Sequence, residues 1–372
     1  TERERTMEYN GYLLSGNDPV AEIRRGQVVP LDSTRMPLYL AAGGSFEAWL
    51  ESRAIDRHRP NSRILKKVLR LTDSTAAVLR AHAATITDNY WVRLDGEEPL
   101  SYDEIRFTED TFAEIALSGS FCSYSRTYEE AQLASGSPEL TNIGSYEKCW
   151  RIQDGGWWLC KSGTPLERFS ELFIARLGEL LGFSMAKYMP DGDCVKTPDF
   201  TGGVYNFEPA AAIVGDEEDY GFNYDRLTAL HPALGRQYLD ILYMDALCFN
   251  MDRHTQNYGV LRDPSTGGIV GMAPNFDNNI ALISRGYGQD AQRTNGFLIH
   301  LFEEFLAERG LAYQAPALDE GIVKQLVQDT LPDEEIDRDY VADMVLERGQ
   351  RLEDKIRQTR QQGFSGPDMK FP

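Results

Sequence analysis

Between Tyr238 and Asp277 the hydrophobic pattern changes period within a short span, which narrows the folds open to the chain. YLDILYMDALCF (238–249) sets apolar side chains at Tyr238, Leu239, Leu242, Ala246, Leu247 and Phe249, the spacing of a largely buried helix. YGVL is a short apolar run that stops at RDPSTGG, whose Asp, Pro and Gly mark a turn, and IVGMAP returns as a strand toward NFDNN. The polar residues Asp252, Arg253, His254 and Asn257 therefore fall in a loop between a buried helix and a hairpin. Asp252 and Asp277 lie at opposite ends of that hairpin unit, where they can approach each other. Loops held by rigid elements are where binding and catalytic groups concentrate.

A chain of 372 residues exceeds one small core, so two or three domains are expected. Its 38 basic and 58 acidic residues give a net charge of −20, which argues against a nucleic-acid-binding or anionic-lipid surface. Cys122, Cys149, Cys160, Cys194 and Cys248 form no CxxC pair and are odd in number, against a disulfide framework or zinc site. No apolar run approaches the roughly 18 residues of a membrane span. TERERTMEYNG carries no signal-peptide core, so a cytoplasmic, membrane-free setting is expected.

Residues 1–45 alternate short apolar runs with turns, predicting a small β-rich start, followed by helices in FEAWLESRAI and SRILKKVLRL and a strand in TDNYWVRL. The Ser- and Gly-rich stretch 118–140 reads as a connection, and 141 to about 215 as strands with one helix. From about 222 the chain reads as mostly helical apart from the hairpin. RDYVADMVLERGQRLEDKIRQTRQQ is a charged amphipathic helix and GFSGPDMKFP a tail. The expected divisions are an accessory region over 1–125, a β-rich lobe over 126–210 and a helical lobe over 211–372.

Asn257 follows Asp252 by five residues. In phosphoryl-transfer sites of the protein-kinase type that spacing joins an Asp that takes the hydroxyl proton to an Asn that binds magnesium. A second Asp at the end of a following strand holds the other metal position. Asp277, after Phe276, is the candidate for it. Magnesium is hard and takes oxygen ligands, so a carboxylate and an amide carbonyl suit it. The same residues admit a structural role, with Asp252 capping a turn and Asn257 in a left-handed position, but their setting around one hairpin favours chemistry.

WWLCKSG adds a strand ending in Lys161, whose burial requires a partner. Glu171, expected to open the helix ELFIARLGELLGF with Leu172, Ala175, Leu180 and Leu181 inward, is the candidate counter-ion, and Glu167 the competitor. Asn142 to Tyr146 form a small-residue turn, one hairpin before Lys161, whose backbone amides can cradle phosphate. Asp245 on the apolar helix needs a partner, with Arg253 the candidate. NFEPA (206–210) is the expected lobe linker, with Phe207 and Glu208 as adenine contacts, and NNIALISRGYG (278–288) should border the acceptor site.

Taken together, IGSYEKCW with its DG turn and strand Lys, SELFIARLGELLGF, and DALCFNMDRHTQNYGVL with APNFD resemble the HipA-like serine/threonine kinases of bacteria. The resemblance covers roughly 140–285 well and the C-terminal helices loosely. It implies an α+β, two-lobed protein-kinase-like fold and ATP with Mg2+ as cofactors. By that resemblance Asp252 is the catalytic Asp, Asn257 and Asp277 the magnesium ligands, and Lys161 the ATP-phosphate lysine. Gly144 and Ser145 fall in the phosphate-covering loop, near Thr141 as the matching position for inhibitory phosphorylation. His254 is expected to contact a phosphate or, in preference, to hold the loop. A protein substrate and a small antitoxin-type partner are further implications. Asn278 and Asn279 stand where kinases carry Gly after the metal Asp. The spacing alone leaves open a small-molecule or lipid kinase and a nucleotide-binding pseudokinase.

Overall fold

The strands foreseen near the start form where expected. In the computed structural model, which describes residues 9–55, 74–97, 99–111, 113–117, 137–144, 146–284 and 293–363, they join one antiparallel sheet. Its order is Gln27–Pro30, Asp18–Arg24, Gly11–Ser15, Tyr90–Leu94. Leu13, Val20, Ile23, Tyr90 and Val92 from this sheet bury against Phe46, Trp49 and Leu50 of the helix Phe46–Ser52. Ser45 caps that helix by accepting the Ala48 N–H. The helix read in SRILKKVLRL, residues 118–136 of the connection, and the tail from 364 lie outside the described residues.

The chain divides into two compact units. The first holds Thr1–Ser162, Lys196–Ile213 and Gly259–Val270; the second holds Gly163–Val195, Val214–Tyr258 and Gly271–Pro372. A helix after Lys161 belongs by its packing with the helical unit, although it follows a strand of the other unit directly.

Within the first unit, strands Lys148–Gln153 and Gly156–Ser162 pair antiparallel around Asp154 and Gly155, both at positive φ (52° and 77°) as a two-residue hairpin turn demands. Cys194–Pro198 lies beside Gly156–Ser162. The segment foreseen as a linker is instead a paired strand, Asn206–Pro209, with Phe207 opposite Leu261 and Glu208 opposite Val260 of strand Gly259–Arg262. Ile269–Met272 flanks that strand as the returning arm, and the RDPSTGG turn closes on Asp263, whose carboxylate accepts the Ser265 and Thr266 N–H groups.

The second unit is built on the helix Pro232–Cys248, whose predicted inward residues are all buried. Helices Tyr220–Leu230, Phe297–Glu308 and Arg338–Gly363 pack around it. Arg348 of the last helix donates to the Ala246 and Leu247 carbonyls, satisfying the end of the central helix, and lies 5.0 Å over the Phe249 ring. The helix Pro165–Leu180 begins earlier than expected. Thr164 and Glu167 form its capping box, so Glu167 serves the helix start, and Glu171 lies in the second turn. Leu172 and Ala175 are buried as foreseen, but Leu180 is exposed because the helix ends there and its last turn faces water. Among the described residues no helix is long and apolar enough to cross a membrane, and Cys149, Cys160, Cys194 and Cys248 are free thiols.

Candidate functional site

The loop after the central helix is shaped by its own side chains. Phe249 takes a left-handed backbone (φ 54°, ψ 49°), ending the helix abruptly. The Asn250 side-chain oxygen then accepts the Asp252 N–H at 3.1 Å, a local turn of the Asx kind. Asn257 Nδ2 donates to the Asp252 carbonyl at 3.0 Å. The five-residue spacing is thus closed by a hydrogen bond: Asn257 folds the loop back on Asp252. Its amide nitrogen being used, the side-chain oxygen is the end suited to a hard cation. His254 is exposed, and its Nδ1 accepts the Gln256 N–H at 3.3 Å, which holds the loop.

Arg253 joins this loop to the one that carries Asp277. Its Nε donates to Asp245 Oδ2 at 3.0 Å and its Nη2 to Oδ1 at 2.9 Å, the pairing foreseen for Asp245. Burial raises the Asp245 carboxyl above its ordinary value, and the guanidinium pulls it back. From the same guanidinium Nη1 reaches the carbonyls of Asn257 (2.7 Å) and Phe276 (2.8 Å), and Nη2 the side-chain oxygens of Asn275 (2.9 Å) and Asn278 (2.7 Å). Asn250 Nδ2 donates to Asn278 Oδ1 as a second tie. The two ends of the hairpin unit are therefore knit through one cation.

Asp277 has φ 61°, unusual for a residue with a Cβ, and its N–H points to the Tyr188 hydroxyl at 3.4 Å. Beyond it, the Asn278 N–H donates to Glu171 Oε1 at 3.0 Å, with both residues buried. Among the described residues no group of three or more His, Cys, Asp or Glu gathers as a self-sufficient metal site. One Asp and one Asn fit a magnesium ion that takes its other oxygens from phosphates and water.

The first unit supplies a separate group of candidates. Lys161 is buried near the end of its strand, and its direct cross-strand partner is Lys148, so one sheet face carries two ammonium-bearing residues. Gly144 has φ 111°, a backbone conformation that favours glycine, and lies against the end of the Lys148 side chain. Ser145 lies outside the described residues.

Three of the expected contact residues have partners of their own within the fold. The Glu208 carboxylate is committed within the fold: it accepts from Arg262, the Tyr90 hydroxyl (3.2 Å) and the Leu38 N–H (2.6 Å). The Phe207 N–H donates to the Thr87 carbonyl at 2.9 Å, and its ring packs edge-on to Phe200. Asn206–Pro209 is thus an edge strand paired along one side, and the Glu208 side chain is held within the fold. Thr141 is buried, its hydroxyl donating to the Ala84 carbonyl at 2.7 Å, so it is not displayed for modification. Residues 285–288 of the expected acceptor border lie outside the described residues.

The sequence matches no family model and no curated protein. Among solved structures, the chain is similar to the Helicobacter pylori proinflammatory kinase CtkA, at 15% identity and TM-score 0.46, covering 58% of this chain and 94% of that one. It is also similar to HipA of the Shewanella oneidensis toxin–antitoxin system, solved with HipB and its operator DNA, at 11% identity and TM-score 0.47. That likeness covers 95% of this chain and 92% of the other.

Sequence reading passed over Asn250, Asn275 and Lys148. The asparagines had a legible signal, since they recur on both sides of the two candidate aspartates, and an amide can both donate and accept inside a crowded polar knot. Lys148 becomes visible only once the strand register is known.

Proposed function

We propose that the chain is an ATP- and magnesium-dependent phosphotransferase that moves the γ-phosphoryl group to a hydroxyl, in the first place a Ser or Thr hydroxyl of a protein. The observation that carries this reading is the Arg253 knot, whose hydrogen bonds run from the Asp252–Asn257 loop to the main chain at Phe276 and the side chain of Asn278, on either side of Asp277. These bonds bring the two segments that carry the candidate residues, 252–257 and 276–278, onto one guanidinium.

In this reading the Asp252 carboxylate accepts the proton of the attacking hydroxyl while that oxygen bonds to the γ-phosphorus and the bridging oxygen leaves with ADP. Asn257 and Asp277 would hold magnesium, which when bound neutralises charge on the phosphates. Lys161, with Lys148 opposite it, is assigned the phosphate oxygens. Asp245 and Arg253 touch no reacting atom in this scheme and set the geometry of both loops.

The test is incubation of the purified protein with γ-labelled ATP and magnesium, alone and with cell extract, followed by mapping of the label. Label on Ser or Thr that disappears in Asp252→Ala supports the reading. Label found only on small alcohols would make the chain a small-molecule kinase. Nucleotide binding with no transfer to any acceptor would overturn phosphotransfer in favour of a pseudokinase.

A further inference from the structure

We infer that the helix Pro165–Leu180 positions the candidate metal ligand Asp277, with Ser170 and Glu171 gripping the two ends of the turn that follows it. The inference rests on the phosphotransferase reading for its consequence and on hydrogen bonds for its content. Ser170 and Glu171 are consecutive, and both are fully buried. Glu171 Oε1 accepts the Asn278 N–H at 3.0 Å, and Ser170 Oγ donates to the Ala281 carbonyl at 2.9 Å. The turn closes on itself through Ala281 N–H to the Asn278 carbonyl, and the next residue, Leu282, donates to the Cys248 carbonyl at 2.9 Å.

Asp277 sits between two peptides that are each fixed from outside. The carbonyl before it accepts from Arg253, and the N–H after it donates to Glu171. A left-handed Asp persists only when its surroundings over-determine it, and these two bonds do so. The helix is itself anchored. Arg168 donates to the Gly192 carbonyl and to Glu334, and Arg338 lies 6.0 Å over the Phe169 ring while donating to the Thr330 and Leu331 carbonyls. The C-terminal segment 330–338 thereby fixes the helix that fixes the turn, all within the second unit.

The chemistry separates this role from that of a counter-ion. Accepting the Asn278 N–H needs an oxygen but no charge, so glutamine serves as well as glutamate; pairing with a lysine needs the charge. Amide hydrogen exchange over 276–282 and Mg–ATP affinity are measured in the wild type and in Glu171→Gln, Glu171→Ala and Ser170→Ala. In Glu171→Ala the exchange should rise about tenfold and the Mg–ATP affinity should fall about tenfold, the loss expected when a buried donor is orphaned. Glu171→Gln should keep the exchange within about twofold of the wild type, and Ser170→Ala should show a smaller rise in exchange than Glu171→Ala. Unchanged exchange in Glu171→Ala, or equal loosening in Glu171→Gln, would overturn the inference. Should Glu171→Ala not fold, unchanged exchange in Ser170→Ala would overturn it instead. Absence of Mg–ATP binding in the wild type would end the phosphotransferase reading, while the exchange data alone would still decide the grip on the turn.

Discussion

Arg262 and Arg253 are both buried, each paired with a buried carboxylate on a neighbouring element, and they make a natural comparison. Arg262 meets Glu208, the Tyr90 hydroxyl, and the carbonyls of Met36, Thr34 and Gly267. Beyond Glu208, these partners are main-chain carbonyls and a tyrosine on the edge strand of the first sheet. Arg253 meets Asp245 and then passes to asparagine side chains and to the carbonyls beside Asn257 and Asp277. Burial of an ion pair is thus no mark of function by itself. What separates the two is the residues they hold: a strand crossing in one case, the two loops that carry the proposed oxygen ligands in the other.

The largest expected effect is at the group held rather than at the holder. Asp252→Ala should lower phosphate transfer by about 10³-fold or more with an unchanged melting temperature, read by labelled-ATP turnover and thermal melts. Wild-type turnover would remove Asp252 from the role of base.

Next come the two arginines. Arg253→Met and Arg262→Met should each destabilise the fold by roughly 3–5 kcal/mol, because each leaves a buried carboxylate without its cation. They should part in Mg–ATP affinity per folded molecule, which Arg262→Met keeps and Arg253→Met loses. Removing the carboxylate as well sharpens the contrast. Glu208→Leu with Arg262→Met should recover much of the lost stability and retain activity, whereas Asp245→Leu with Arg253→Met should recover stability alone. Denaturant unfolding with parallel nucleotide titration reads both, and equal behaviour of the two pairs would erase the distinction.

The smallest effect is a pH dependence next to Asn257. Burial pushes the Tyr258 hydroxyl up to about 12 from 10.0. Between those values the unfolded chain has released the proton and the folded chain has not, so stability falls as pH rises through the window. Tyr258→Phe should flatten part of that alkaline fall in the melting temperature. An unaltered slope would place the titration on other tyrosines.

Much of this arrangement is legible in the sequence. The apolar helix 238–249, the hairpin after it and the Asp245–Arg253 pair all followed from period, turn chemistry and the penalty on a buried charge. The helix start at Pro165 was missed although Thr164 and Glu167 spell a capping box, because the apolar run beginning at Leu172 drew the boundary too late. The strand at Phe207 and Glu208 was illegible for a different reason. Whether NFEP is an open linker or a paired strand depends on a partner, Gly259–Arg262, that is remote in sequence, and no local pattern encodes that pairing. The same holds for Glu171, whose hydrogen bond to Asn278 spans 107 positions.

The most direct test of the account is whether Asn257 and Asp277 bind one divalent ion together with the nucleotide. Manganese, as a paramagnetic stand-in for magnesium, can be titrated with and without ATP into the wild type, Asn257→Ala and Asp277→Ala and followed by electron paramagnetic resonance. Tight manganese uptake is expected only when ATP is present, with loss of that uptake in both variants while the fold stays intact. Equal uptake by all three proteins, or uptake indifferent to ATP, would contradict it.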